Sequence, residues 1–326
     1  MEKRRLGYSD LYLTPVGLGT WAIGGGDNPY GWGPQDDRDS IHTIQRAIDL
    51  GINWLDTAKG YGHGHSEEVV GQALKGRRDR VILATKCGIL WKEDGSDIYG
   101  YLKADSIKAE CESSLKRLQT DYIDLYQIHW PLPDEDIEEG WGAIADLVKE
   151  GKVRYGGVSN FSVAQMKRVQ KIHPIASLQP PYSMVNRGIE KEILPFCAAN
   201  QIGVIAYSPM QAGLLTGRMT KERIAAFPVD DWRKGNPDFQ EPRLSIILDL
   251  VEKLRPIAEA KGQIVANLAL IWTLQRPEVT GAIAGARRPE QIEETSRAMD
   301  LVLTPEEWAA VNAHLAECER LLAQVS

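Results

Sequence analysis

The chain has little of what would set it apart from ordinary globular proteins. No stretch approaches the ~18 consecutive apolar residues of a membrane helix. The opening segment, MEKRRLGYSDLYLTP, has no apolar core of signal-peptide length. Its four cysteines, Cys87, Cys111, Cys197 and Cys318, share no close spacing. That argues against a disulfide framework and for reduced thiols in a cytoplasmic protein. Basic residues form no stripe: Lys3-Arg4-Arg5 and Lys75-Gly76-Arg77-Arg78 are the densest clusters, and the formal net charge is -7. Neither nucleic acid nor a membrane is an expected partner. No Ser/Gly/Pro-rich linker divides the chain, and no serine sits in a nucleophile elbow.

What is present is an ordinary globular composition, 43% hydrophobic and 25% charged, over 326 residues. Its dominant signal is alternation. Short β-rich apolar runs occur at Val16-Leu18, Ile52-Ala58, Val81-Lys86, Tyr122-Trp130, Val153-Ser159, Ile175-Gln179, Gly203-Ser208 and Val279-Ala284. Helical periodicity follows at 37-50, 66-75, 104-118, 137-150, 163-172, 189-200 and 289-299. Ser66 and Ser162 read as N-caps, Gly51 and Gly151 as C-terminal stops. Eight strands, several apolar on both faces, predict a parallel sheet closed as a single (β/α)8 TIM barrel over residues 1-326. Residues 3-15 read as a hairpin capping the barrel, and 305-322 as an extra C-terminal helix opened by Thr304-Pro305-Glu306-Glu307. Residues 210-242, rich in glycine and proline, read as a long lid loop.

Barrel chemistry sits at the C-terminal ends of the strands. There the sequence places Asp56, Lys86, His129-Trp130, Ser159-Asn160, Gln179, Tyr207-Ser208 and Gly285-Ala286-Arg287-Arg288, with Tyr61 just beyond strand two. Singly, each has a plain reading: a capping aspartate, a snorkelling lysine, a core histidine, a loop tyrosine. Together they make a proton relay suited to carbonyl reduction. Tyr61 would protonate the nascent alkoxide, Lys86 would lower the phenol pKa from ~10, Asp56 would balance Lys86, and His129 would polarise the carbonyl. Arg287 and Arg288, before a helix opened by Pro289, suit a phosphate; a solvated basic turn is the plain alternative. Trp21, Trp91 and Trp130 either wall a substrate pocket or pack beneath the long loop, and Trp32 and Trp232 are weaker candidates. Gly17-Leu18-Gly19-Thr20-Trp21-Ala22 has dinucleotide-fingerprint spacing but no helix after it. His63-Gly64-His65 lacks a third ligand for a metal. A hydrolase reading would need Asp56 paired with Asp124, which falls inside strand four.

At these residues the chain resembles the aldo-keto reductase family, in order and over nearly its whole length. Leu55-Asp56-Thr57-Ala58-Lys59-Gly60-Tyr61-Gly62-His63-Gly64-His65-Ser66-Glu67 is similar to the first family signature, and Gly157-Val158-Ser159-Asn160-Phe161 to the second. Ala206-Tyr207-Ser208-Pro209 and Gly285-Ala286-Arg287-Arg288 resemble its cofactor segments. The GLLTG at 213-217 and the length of 63-68 resemble the bacterial branch near glycerol and glyceraldehyde reductases. The resemblance implies a monomer reducing small carbonyl substrates with NADP(H), NAD(H) remaining open. Asp56, Tyr61, Lys86 and His129 would form the catalytic tetrad. Ser159, Asn160 and Gln179 would hold the nicotinamide carboxamide, and Tyr207 would stack on its ring. Ser208, Leu215, Gly217 and Arg218 would meet the pyrophosphate, Arg287 and Arg288 the 2′-phosphate, and Gln291 and Glu294 the adenine. Thr20 and Trp21 would line the floor. Thr295 stands where relatives commonly have Asn, and Gly285 where some have Lys. The family also includes channel-associated β subunits that act mainly as regulatory partners, so a cofactor-binding protein with little turnover is the alternative.

Overall fold

The computed structural model describes residues 2–26, 29–229 and 231–325. Eight parallel strands close into a barrel: β1 (Val16–Gly19), β2 (Trp54–Asp56), β3 (Ile82–Cys87), β4 (Ile123–Ile128), β5 (Val153–Ser159), β6 (Ser177–Gln179), β7 (Gly203–Ala206) and β8 (Val279–Gly285). Each pairs with its sequence neighbours, and β8 closes on β1 with Gly285 opposite Gly19. This is the expected TIM barrel. Around it run α1 (Asp37–Asp49), α2 (His65–Ala73), α3 (Ala104–Leu118), α4 (Ile137–Lys149), α5 (Val163–Val169) and α6 (Ile193–Ala199). They are followed by α7 (Lys221–Ala225), α8 (Arg243–Glu259), α9 (Val265–Leu274), α10 (Pro289–Ser296) and α11 (Pro305–Ala323).

Side chains alternate along each strand, so residues two apart share a face. Trp54 packs inside the barrel with Leu125, Ile205 and Ile283, and Leu6, Leu11 and Leu13 of the hairpin pack against them from below. The hairpin, Arg4–Arg5 paired with Tyr12–Leu13, is therefore the expected cap. Room for the Trp54 indole comes from Gly17 on β1: a Cβ there would collide with the ring. Two residues along from Trp54, Ala84, Leu125 and Ser177 stand Asp56, Lys86, Gln127 and Gln179, so the interior turns polar toward the C-terminal mouth. A larger apolar layer, including Ile44, Val70, Trp141, Ile144 and Leu268, joins strands to helices.

Local expectations fare unevenly. Ser162 and Thr304 each form a capping box, with Gln165 and Glu307. Gly51 and Gly151 take left-handed backbone just after α1 and α4, at φ 88° and 76°. Ser66 is not an N-cap. It lies inside α2, whose cap is Gly64, and its buried hydroxyl is bonded to Thr57 and Thr20. The periodicity reading omits α8 and α9. All of α9 is buried, so it has no polar face to create a period. Residues 210–242 are less irregular than expected: 3₁₀ turns at Gln211–Thr216, Trp232–Gly235 and Pro237–Phe239 flank α7. An antiparallel ribbon, Ile89–Trp91 with Ile98–Gly100, also rises beside the mouth.

Candidate active site

Strand ends deliver the central cluster. Asp56 is the last residue of β2, and Lys86 the penultimate residue of β3. Lys86 Nζ donates to Asp56 Oδ1 at 2.6 Å, to the Thr57 carbonyl at 3.0 Å and to the Tyr61 hydroxyl at 3.1 Å. The Lys86 side chain is fully buried and that of Asp56 is 3% exposed. Asp56 Oδ2 accepts from Gln179 Nε2 at 2.8 Å, and Gln127 Nε2 lies 3.5 Å away. Gln127 was missed by the sequence reading. Its signal was a polar residue inside the apolar run Tyr122-Trp130.

Tyr61 begins a tight turn, Tyr61–Gly64, in which Gly62, His63 and Gly64 all have positive φ. Gly62 is required there, because a Cβ would strike the Gly24 carbonyl. The Tyr61 ring lies 5.8 Å from that of His129, edge to face, and 6.4 Å from Trp21, stacked. Thr20 is fully buried, and its hydroxyl donates to the Asp56 carbonyl. Burial raises the Tyr61 pKa above the ordinary phenol value, and Asp56 pushes the same way. Lys86 lowers it, as the sequence reading expected, but burial outweighs that pull. Burial disfavours the Lys86 ammonium, yet Asp56 and then Tyr61 outweigh it, and its pKa is raised. Burial, then the Lys86 charge, holds His129 well below the usual imidazole value, so it is neutral.

A second row crosses the mouth. Asn160, at φ 63°, donates to the His129 carbonyl and Ser159 Oγ, both at 3.1 Å, and accepts from the Tyr207 hydroxyl at 2.9 Å. Ser159 Oγ donates to the Gln179 carbonyl at 2.9 Å. The residues expected at the carboxamide and ring are thus contiguous by hydrogen bonds with the Asp56-Lys86-Tyr61 cluster and His129.

Beyond them, Ser208 stands in the left-handed region at φ 54° after β7. Leu215 is buried, and the Gly217 carbonyl accepts from Arg255 at 3.0 Å. Arg218 pairs with Glu294 at 2.6 Å, joining the 210–242 segment to α10. Gln291 Oε1 accepts from the amides of Arg287, at 2.8 Å, and Arg288, at 3.2 Å, capping α10. Thr295 bonds the Gln291 carbonyl at 2.9 Å. Gly285 is exposed at the end of β8, and the Arg288 side chain is exposed nearby. Arg287, in contrast, turns back to residues 32–35.

The tryptophans separate. Trp91 donates to the Gly60 carbonyl at 3.1 Å and stacks on His63 at 4.0 Å. Trp130 is 40% exposed. Trp21 instead joins Trp32 and Trp232, at 5.4 and 5.3 Å. Those two weaker candidates therefore lie nearer Tyr61 than sequence order suggests. His65 pairs with Asp37 at 2.8 Å, so the two histidines of the His63-Gly64-His65 motif face different partners. Asp124 is held by Arg78 and Arg154, both at 2.7 Å, near the start of β4. The carboxylate pair of a hydrolase is not assembled.

A closed (β/α)8 barrel with a buried Asp-Lys-Tyr cluster and a neutral histidine at its C-terminal mouth defines a recognisable class of oxidoreductase. Residues 15–316 match the model of the aldo/keto reductase family, and the chain belongs to that family. It is 42% identical to aldo-keto reductase YhdN of Bacillus subtilis (strain 168), over 97% of this chain and 94% of that protein. It is 37% identical to an NADH-specific methylglyoxal reductase of Escherichia coli (strain K12), covering 93% and 95%. Among solved structures, a glycerol dehydrogenase from Gluconobacter oxydans superposes with TM-score 0.88 at 39% identity, covering 97% and 95%. An aldo/keto reductase from Klebsiella pneumoniae in complex with NADP and acetate gives 0.73 at 30%, covering 96% and 95%.

Proposed function

We propose that this protein is a monomeric, cytoplasmic carbonyl reductase that uses NADP(H), with NAD(H) as the alternative cofactor, and that Tyr61 is its proton donor. The observation that carries the reading is the Tyr61 hydroxyl 3.1 Å from Lys86, which Asp56 in turn holds at 2.6 Å. The residues around the mouth suit a nicotinamide dinucleotide. The Gln179 amide is held by Asp56 through its nitrogen, and the exposed Arg288 stands beside the start of α10. The complex of the Klebsiella relative with NADP supports the cofactor class, and the NADH-specific relative leaves NAD(H) open.

When bound, the reduced cofactor would supply the hydride. Ser159, Asn160 and Gln179 would orient its carboxamide and Tyr207 its ring. Ser208, Leu215, Gly217 and Arg218 would lie along the diphosphate, with Gly285, Arg288, Gln291 and Glu294 toward the adenosine. Tyr61, held protonated by burial, gives its proton to the carbonyl oxygen as that oxygen gains charge. Lys86 stabilises the phenolate left behind, and Asp56 keeps Lys86 charged. Neutral His129 donates a hydrogen bond to the same oxygen. Trp21 walls the substrate side, while Trp91 and Trp130 form its outer rim. Small carbonyl compounds, glyceraldehyde-like or aromatic aldehydes, are the proposed substrates; the relatives named for methylglyoxal and glycerol support that size class. The test is nicotinamide oxidation with NADPH and NADH in parallel against glyceraldehyde, methylglyoxal and an aromatic aldehyde. Carbonyl-dependent oxidation is expected. Tight cofactor binding with no turnover across the panel would return the regulatory-partner reading.

A further inference from the structure

Arg287 follows β8, where a phosphate reader would stand, but its guanidinium is engaged elsewhere. Nε donates to Gln35 Oε1 at 2.6 Å, one terminal nitrogen to the Trp32 carbonyl at 2.9 Å, and the other to the Pro34 carbonyl. Gln35 Nε2 returns a bond to the Arg287 carbonyl at 2.8 Å. All three arms of the fork thus hold one four-residue stretch. That stretch carries Trp32, whose ring meets Trp21 edge-on at 5.4 Å and Trp232 at 5.6 Å. Trp21 itself lies 6.4 Å from Tyr61. A physical line therefore runs from Arg287 through residues 32–35 and two indoles to the catalytic tyrosine. Arg288, one residue on, is exposed and donates its side chain to no protein group among the described residues.

We propose that Arg287 is a positioning residue for the carbonyl pocket, holding Trp32 against Trp21, and that Arg288 alone reads the adenosine-side phosphate. The inference rests on the reductase reading for its kinetic part only. Turning Arg287 to a phosphate would strip the Trp32 and Pro34 carbonyls and Gln35 of a charged donor. A charged donor makes a stronger hydrogen bond than a neutral one, and its loss leaves acceptors unpaired. A planar fork that fits three acceptors is also not replaced by lysine.

The test compares Arg287→Met, Arg288→Met and Gln35→Ala in the full-length protein. Two readouts are taken: tryptophan emission of the cofactor-free protein, and KM and kcat for one carbonyl with each of NADPH and NADH. Arg287→Met is expected to shift the emission. It should also raise the carbonyl KM about tenfold, the effect of one lost charge-assisted bond, equally with both cofactors. Arg288→Met should lower the NADPH preference without the emission shift. Gln35→Ala should repeat the Arg287 effect more weakly, and the double variant should be no worse than Arg287→Met alone, as for residues acting through one contact. Selective loss of NADPH use in Arg287→Met, with emission and carbonyl KM unchanged, overturns the proposal. Should the wild type reduce no carbonyl, the reductase reading falls on its own. The emission arm still decides the strap: a shift supports it and no shift removes it. Gln35→Ala serves the same purpose if Arg287→Met does not fold.

Discussion

The Asp56 carboxylate sits 2.6 Å from the Lys86 ammonium with both side chains essentially out of water. Such a pair contributes little net stability while intact, but breaking it strands a buried charge at a cost of about 3–5 kcal/mol. Asp56→Asn should therefore lower the unfolding free energy by that order, and Asp56→Asn combined with Lys86→Met should recover part of the loss. Denaturant melts check both. A single variant as stable as the wild type would contradict the burial of this pair.

Proton chemistry follows from two opposite shifts. Tyr61 must be protonated to donate, and its pKa is raised above the ordinary ~10. Reduction should therefore stay flat through neutral pH and fall only at strongly alkaline pH. Histidine in the unfolded chain titrates near ~6.5, whereas native His129 resists protonation. Below that pH the unfolded state binds a proton that the native state lacks, so stability falls as pH falls. A pH series of Tm should show this acid slope, and His129→Gln should weaken it.

Inside the barrel, Trp54 fills the space that Gly17 leaves open. Gly17→Ala should displace the indole and destabilise by about 1–3 kcal/mol, the range for overpacking. Thermal unfolding measures it, and an unchanged Tm would show that the ring has slack.

The 210–242 segment is proposed to act as a lid over bound cofactor. Arg218 on it already meets Glu294 of α10 at 2.6 Å. NADPH should slow limited proteolysis within the segment. Equal cleavage with and without the cofactor would remove the lid role.

How much of this was legible depended on contact distance along the chain. Asp56, Lys86 and His129 announce themselves because a polar residue ending or following an apolar strand needs a reason, and strand order puts those ends at one mouth. Helix α9 stays hidden because a helix buried on all sides has no amphipathic period. The direction of the Tyr61 shift also escaped, since spacing says nothing about how burial and Asp56 offset Lys86. Arg287 and Gln35 are 252 positions apart, and no local pattern joins them. Trp32 and Trp232 meet only because two distant loops fold over the same barrel end.

The central claim, Tyr61 as proton donor, is tested most directly by single-turnover oxidation of bound NADPH in the wild type and in Tyr61→Phe. The phenylalanine keeps the ring and removes only the hydroxyl. The rate of carbonyl reduction should fall by about 10²–10⁴, the usual worth of a positioned acid, while the Kd for NADPH changes little. A Tyr61→Phe enzyme that reduces its carbonyl at close to the wild-type rate would contradict the account.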